Sequence, residues 1–227
     1  MRLIIFTLML LLAGCGSAPI SSTESGISSA TEQRVASWRQ LVDSGRNWSE
    51  QRQLEATNDF INQNQFVDDI IHWGKEDYWA TPLQTIVTEG GDCEDFAVAK
   101  YFTLTEMGMS ADKLRLTYVK ALTLNQAHMV VSYYPAQDAT PLVLDNLDPV
   151  IRPATQRNDL LPVYSFNAEG LWLNKQQNAE YVNDSSRLSL WQQLLRSMNA
   201  EAADESFYIC RYQHYDLPSQ QALEMCR

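Results

Sequence analysis

A helix that is apolar on most of its sides belongs inside a domain, and residues 94–106 read as such a helix. In "EGGDCEDFAVAKYFTLTE" (89–106), Phe96, Ala97, Val98, Ala99, Tyr101, Phe102 and Leu104 leave little polar face. The rest of the fold has to be built around this segment. Its start is marked: Gly90-Gly91 closes the preceding stretch, Asp92 reads as the N-cap, and Asp95 at the third helical position makes a variant of the capping box. Met107-Gly108 ends it. At the mouth of this buried helix stands Cys93, crowded by Asp92, Glu94 and Asp95. Two outcomes are open. Either Cys93 is an inert core cysteine under an acidic cap, or something neutralises the carboxylates and the thiol works.

Around the central helix the hydrophobic period changes from 3.6 to 2. Upstream, "TEQRVASWRQLVDSG" puts Val35, Trp38, Leu41 and Val42 on one helical face, with Gly45 as its stop. "NWSEQRQLEATNDFINQN" follows, with Ser49 as N-cap, and "FVDDIIHWGKEDYWATPLQTIVTEGG" mixes short helix and loop, interrupted by Pro82. Tyr78 and Trp79 read as core rather than cleft lining. Downstream, "KLRLTYVKAL" alternates, "AHMVVSYY" is β-rich, "PLVLDNL" is a short strand entering a turn, and "LPVYSFN" and "LWLN" are further strands. "SSRLSLWQQLLRSM" closes the series as a helix capped by Ser185 or Ser186. Helices, then a buried helix, then an antiparallel sheet, then a helix is an α+β order.

The 227 residues suffice for one sizeable core. A net charge of −11 argues against nucleic acid and against an electrostatic grip on anionic lipid. Arg2 followed by "LIIFTLMLLLAG" has the form of a signal peptide, too short to span a bilayer comfortably. It runs into "LLAGC", which resembles a lipobox with Cys15 as the lipidated residue; cleavage after "GSA" is the competing reading. Either way the mature chain leaves the cytoplasm. The expected organisation is a signal segment at 1–18, a Ser-rich linker at 19–30, a catalytic domain at 31–200 and a C-terminal extension at 201–227.

Export gives the cysteines meaning. Cys15 belongs to processing. Cys210 and Cys226 either pair in a disulfide or are unrelated residues of a tail. Cys93 is left without a partner. Placed in the first turn of its helix, it gains thiolate character from the helix dipole. A nucleophile also needs a base and an orienter. Of His72, His128 and His214, His128 opens a strand, and Asp145 ends another seventeen residues later. Helix N-terminus, strand, adjacent strand is the chain order of papain-like and transglutaminase-like Cys-His-Asp sites.

The motifs "GDCEDFAVAKYFTL", "LRLTYVKAL", "NQAHMVVSYY" and "PLVLDNL" resemble the bacterial transglutaminase-like cysteine proteinases, and among them the periplasmic adhesin proteases of LapG type. The likeness extends through "HWGKEDYWATP" and "RNDLLPVYSFNAEGLWL", covering roughly residues 60–175. It implies a papain-like α+β core. It also implies Cys93 as nucleophile, His128 as general base and then acid, and Asp145 as orienter of the imidazole. A calcium ion is implied as well, with Asp92 and Glu94 among its ligands; hard oxygen donors suit that cation. Asp95 reads instead as a complement to the helix dipole.

The same resemblance implies endoproteolysis near the N-terminus of a large surface adhesin, at paired small residues, with biofilm dispersal as the result. The implied partner is an inner-membrane cyclic-di-GMP receptor whose periplasmic domain sequesters the protease. Two features depart from the resemblance: "LLAGC" points to a lipid anchor on the periplasmic face of the outer membrane, and the stretch from about residue 200 has no counterpart. Two other functions use the same residues. A transglutaminase-like acyltransferase would pass the acyl group to an amine, and a non-catalytic binding module would only retain the fold.

Overall fold

The computed structural model describes residues 27–168, 170–175, 178–183 and 188–226. The signal segment, Cys15 and most of the 19–30 linker lie outside them.

Helix α1 (Ser29–Gly45) takes in the last two residues of that linker, with the Ser28 hydroxyl accepting from the Thr31 amide. Helix α2 (Glu50–Ile61) is capped by Ser49. Strand β1 (Gln65–Phe66) and helix α3 (Asp69–His72) lead to helix α4 (Pro82–Thr88). Pro82 starts this helix; it does not interrupt one. Thr81 accepts from the Gln84 amide while the Gln84 side chain accepts from the Thr81 N–H, and proline at the first helical position gives up only an N–H with no partner in the helix.

Strand β2 (Gly90–Gly91) pairs in parallel with β1 and delivers the chain to helix α5 (Cys93–Glu106). Glycine at 91 is required by close approach: a Cβ there would stand 2.5 Å from Asp95 Oδ2. Helix α5 is the hub, which explains its lack of a polar face. Ala97, Val98, Tyr101 and Leu104 enter one apolar cluster with the sheet residues Leu114, Leu116, Val131 and Phe166. Phe96 and Ala99 enter a second, with Val35, Trp38 and Ile86. Truncating the fully buried Leu104 to alanine would cost about 2–5 kcal/mol.

The sheet comprises β3 (Leu114–Ala121), β4 (Gln126–Tyr133), β5 (Leu142–Leu144), β6 (Arg152–Pro153), β7 (Leu160–Phe166), β8 (Leu171–Lys175) and β9 (Asn178–Asn183). The order is β6-β5-β4-β3-β7-β8-β9, with every pairing antiparallel. Alternation turns Leu114, Leu116, Met129 and Val131 toward α5. Val119, Val130 and Val143 form a smaller cluster on the other face. Trp79 stacks on Phe166 at 5.6 Å, inside the core.

Helix α6 (Ser189–Ala203) has Leu188 at its N-cap position, without a side-chain cap; Ser185 and Ser186, expected as its cap, lie outside the described residues. It runs through the boundary drawn at residue 200. Helices α7 (Glu205–Gln213) and α8 (Ser219–Met225) follow, and a disulfide joins Cys210 to Cys226. This C-terminal part is fastened to the rest: Glu201, buried, accepts from Thr81 Oγ1 at 2.6 Å and from the Tyr212 hydroxyl at 2.7 Å. Among the described residues no helix is long and apolar enough to cross a membrane.

Candidate active site

The site has two sides, one on the sheet and one at the start of α5. On the sheet, His128 of β4 and Asp145, just past β5, are both almost fully buried. They meet at 2.7 Å between Nε2 and Oδ1. Oδ1 also accepts from the Leu147 amide, two residues on, in an Asx-type turn. Oδ2 accepts from Arg157 Nη2 at 2.6 Å. Burial pushes the Asp145 carboxyl up, but the His128, Leu147 and Arg157 bonds outweigh it and hold it down at about 2. Asp145 is therefore ionised near neutrality and can only accept. The His128 proton must then sit on Nε2, which leaves Nδ1 as the basic nitrogen. From α5, the wholly buried Lys100 faces the same carboxylate; burial lowers its ammonium to about 7 and Asp145 opposes the fall.

On the helix, Cys93 is half-buried and is the free cysteine of the described residues. Burial pushes its thiol up strongly, and the charges of Glu94 and Asp92 add to the rise. The backbone amide of Met129, next to His128, opposes it. The thiol donates to Glu94 Oε2 at 2.9 Å. No hydrogen bond joins Cys93 to His128 among the described residues.

Around the thiol the structure gathers more acid than the local sequence showed. Oxygen atoms of Asp69, Asp77 and Glu94 can lie within 4.8 Å of one another, as can those of Asp69, Asp92 and Asp95, and those of Asp92 and Glu94 with the Cys93 sulfur. Asp95, fully buried, serves the backbone: it accepts from the Ala80 amide at 2.6 Å and from the Asp92 amide at 3.4 Å, with the Trp73 indole at 3.3 Å. That is a structural role, as its reading as a helix complement anticipated in part. Asp69 accepts from the Tyr78 amide through Oδ2.

Asp69 Oδ1 and Asp92 Oδ1 are buried with no hydrogen-bond partner among the described residues. Buried, unpaired carboxylate oxygens are costly. Burial, then Glu94 and Asp77, raises Asp69 to about 6, and burial with Glu94, Asp95 and Asp69 drives Asp92 higher still. Four carboxylates in one cluster, two of them with an orphaned oxygen, are the donor set of a hard divalent cation, so the residues fit calcium. Asp69 and Asp77, from α3 and the loop before α4, join Asp92 and Glu94 in that set. Their signal was faint: "VDDII" and "KEDYW" look like acidic surface.

The comparisons with known proteins bear on the family to which the chain belongs. The sequence profile of the bacterial transglutaminase-like cysteine proteinases matches residues 18–180. Legionella pneumophila LapG is 47% identical, with a TM-score of 0.68, over 75% of this chain and 91% of that one. Its EGTA-treated form gives a TM-score of 0.69 at the same identity and coverage. Its calcium-bound form gives 0.67 at 48% identity, covering 74% and 91%. No curated protein matches the chain.

Proposed function

From the premise that this chain belongs to the bacterial transglutaminase-like cysteine proteinases, we propose that it is a calcium-dependent endopeptidase working through Cys93, His128 and Asp145. The observation that carries this is the 2.7 Å bond from His128 Nε2 to an ionised, buried Asp145 beside the helix that bears the free thiol.

The chemistry follows from the parts. The Cys93 Sγ–H gives up its hydrogen bond to Glu94, and its proton passes from sulfur to His128 Nδ1. The thiolate attacks the scissile carbonyl carbon, and the imidazolium returns the proton to the departing amine. A thioester remains on Cys93. His128 then takes a proton from water, whose oxygen attacks the thioester, and the thiol is released. Asp145 keeps the ring oriented and stabilises the imidazolium. Asp69, Asp77, Asp92 and Glu94 would hold calcium, which when bound supplies positive charge against the acids that otherwise disfavour the thiolate.

The substrate we propose is the N-terminal region of a large repeat adhesin, whose cleavage releases it and disperses a biofilm, under control of an inner-membrane cyclic-di-GMP receptor. The family likeness supports this reading. So does the export signal, which suits the periplasm, with a lipid on Cys15 and a Ser-rich tether spanning about 20 Å. The test is incubation with such an adhesin region, with calcium or with chelator, followed by mass spectrometry. Calcium-dependent fragments with free carboxyl ends support the peptidase. Products joined to an added amine would make it a transglutaminase-like acyltransferase, and no covalent product would leave a binding module.

A further inference from the structure

We propose that Arg157 is a positioning residue of the active site, locking the Asp145 carboxylate so that His128 keeps its proton on Nε2 and offers Nδ1 to the thiol. The inference rests on the peptidase reading and deepens it.

Arg157 arrives from a loop between β6 and β7, twelve residues after Asp145, and is 4% exposed. Burying a guanidinium so fully demands partners, and it has two, of different kinds. It grips the partly exposed Asp159 with a fork, Nε to Oδ1 at 3.0 Å and Nη2 to Oδ2 at 2.8 Å. The same Nη2 reaches Asp145 Oδ2 at 2.6 Å. Asp159 thus anchors the guanidinium from the solvent side, and Asp145 receives it from within.

The carboxylate of Asp145 is thereby fixed at both oxygens. The Leu147 amide and the imidazole occupy Oδ1, and Arg157 occupies Oδ2. Without Arg157 the group would be free to turn about its terminal torsion, which has broad wells, and Oδ1 would lose its fixed aim at Nε2. Both His128 tautomers would then be populated. One of them puts the proton on Nδ1, where it cannot accept from Cys93. A bidentate guanidinium suits this role because its fork is planar and rigid, which an ammonium cannot reproduce.

The test measures kcat and KM with calcium present, together with the 15N shifts of the His128 ring, in Arg157→Gln, Arg157→Lys and Asp159→Asn. In the wild type the ring proton is expected on Nε2. Arg157→Gln should lower kcat about ten- to a hundredfold with KM within twofold, and its ring shifts should average between tautomers. Arg157→Lys should fall between, at a three- to tenfold loss, and it decides the matter if the glutamine variant does not fold. Asp159→Asn, which leaves the Asp145 contact in place, should stay within about threefold. A folded Arg157→Gln or Arg157→Lys with an unchanged tautomer and kcat overturns the assignment. So does a loss confined to KM. A wild type that carries the Nε2 proton yet cleaves nothing removes the peptidase reading, and the ring shifts of the variants still decide Arg157.

Discussion

On the sheet side of the active site, Asp145 has a donor for each oxygen and a cation behind it. On the helix side, among the described residues, Asp92 and Glu94 have no cationic side chain bonded to either, and Asp69 and Asp92 each leave an oxygen unpaired. One half balances its charge with the chain's own residues. The other is written for a charge from outside. The same residue type, aspartate, is held down at about 2 in the first half and pushed up in the second, so environment alone divides their roles. In the proposed mechanism the base is assembled by folding, and the nucleophile needs an ion.

The largest effects should come from removing either half outright. Cys93→Ala and His128→Ala should each lower cleavage at least about a thousandfold, with circular dichroism unchanged. Measurable turnover by Cys93→Ala would end the catalytic assignment. Chelation attacks only the helix half. EGTA should reduce the rate roughly a hundredfold or more, since the uncompensated charges of Glu94 and Asp92 disfavour the thiolate, and added calcium should restore it. Asp69→Asn and Asp77→Asn should behave as permanently chelated enzymes. Calorimetry showing no calcium binding to the wild type would reduce the acids to helix caps and solvent contacts.

Stability should respond to the two halves with opposite signs. Asp145→Ala leaves the buried Arg157 short of its inner partner and should destabilise by about 3–5 kcal/mol. Asp92→Asn keeps a residue equally good as an N-cap and relieves repulsion, so in EGTA it should stabilise by about 1 kcal/mol. Denaturant melts of both variants, with and without calcium, test the contrast; two losses of similar size would erase it.

The smallest effect is one of pH. Asp69 titrates near 6 in the fold, above its unfolded value, so the folded state binds more protons in between. Calcium-free stability should therefore rise as pH falls from about 7 to about 4 and gain nothing further below. The paired Asp145 runs the other way: its contribution is complete above about 4 and lost as pH falls toward 2. Calcium competes with protons for Asp69, so the thermal shift it confers should shrink over the first window.

Much of this was written locally in the chain. The apolar run of α5 announced a hub, the alternation of β3 and β4 announced the sheet, and Ser49 announced the start of α2. Asp92 and Asp95 were visible as the start of α5 because capping is a matter of a few residues. Pro82 differs from its sequence expectation because a Thr-Pro-x-Gln helix start and a helix break share the same proline signal. Arg157, Asp69, Asp77 and Lys100 were not visible as site residues. Each acts through a partner brought near only by folding, and no periodicity records such a pairing. Glu201 belongs with them: nothing in "NAEAAD" announces a carboxylate that closes on Thr81, 120 residues earlier.

The Cys210–Cys226 bridge bears on how a reactive thiol survives beside a disulfide in one molecule. A free thiolate attacks disulfide sulfur atoms through a mixed-disulfide intermediate, so a protein that carries both invites scrambling between copies. Here the Cys210 sulfur is buried among the apolar residues of α1, α4 and α7, and Cys226 packs against the same cluster. Cys93 lies against the other cluster, on the sheet side of α5. Exchange needs an in-line approach to a sulfur, and the second cluster obstructs that approach at Cys210. The bridge is thus obstructed from the Cys210 side, which leaves the half-buried Cys226 as the end at which a thiolate could reach it.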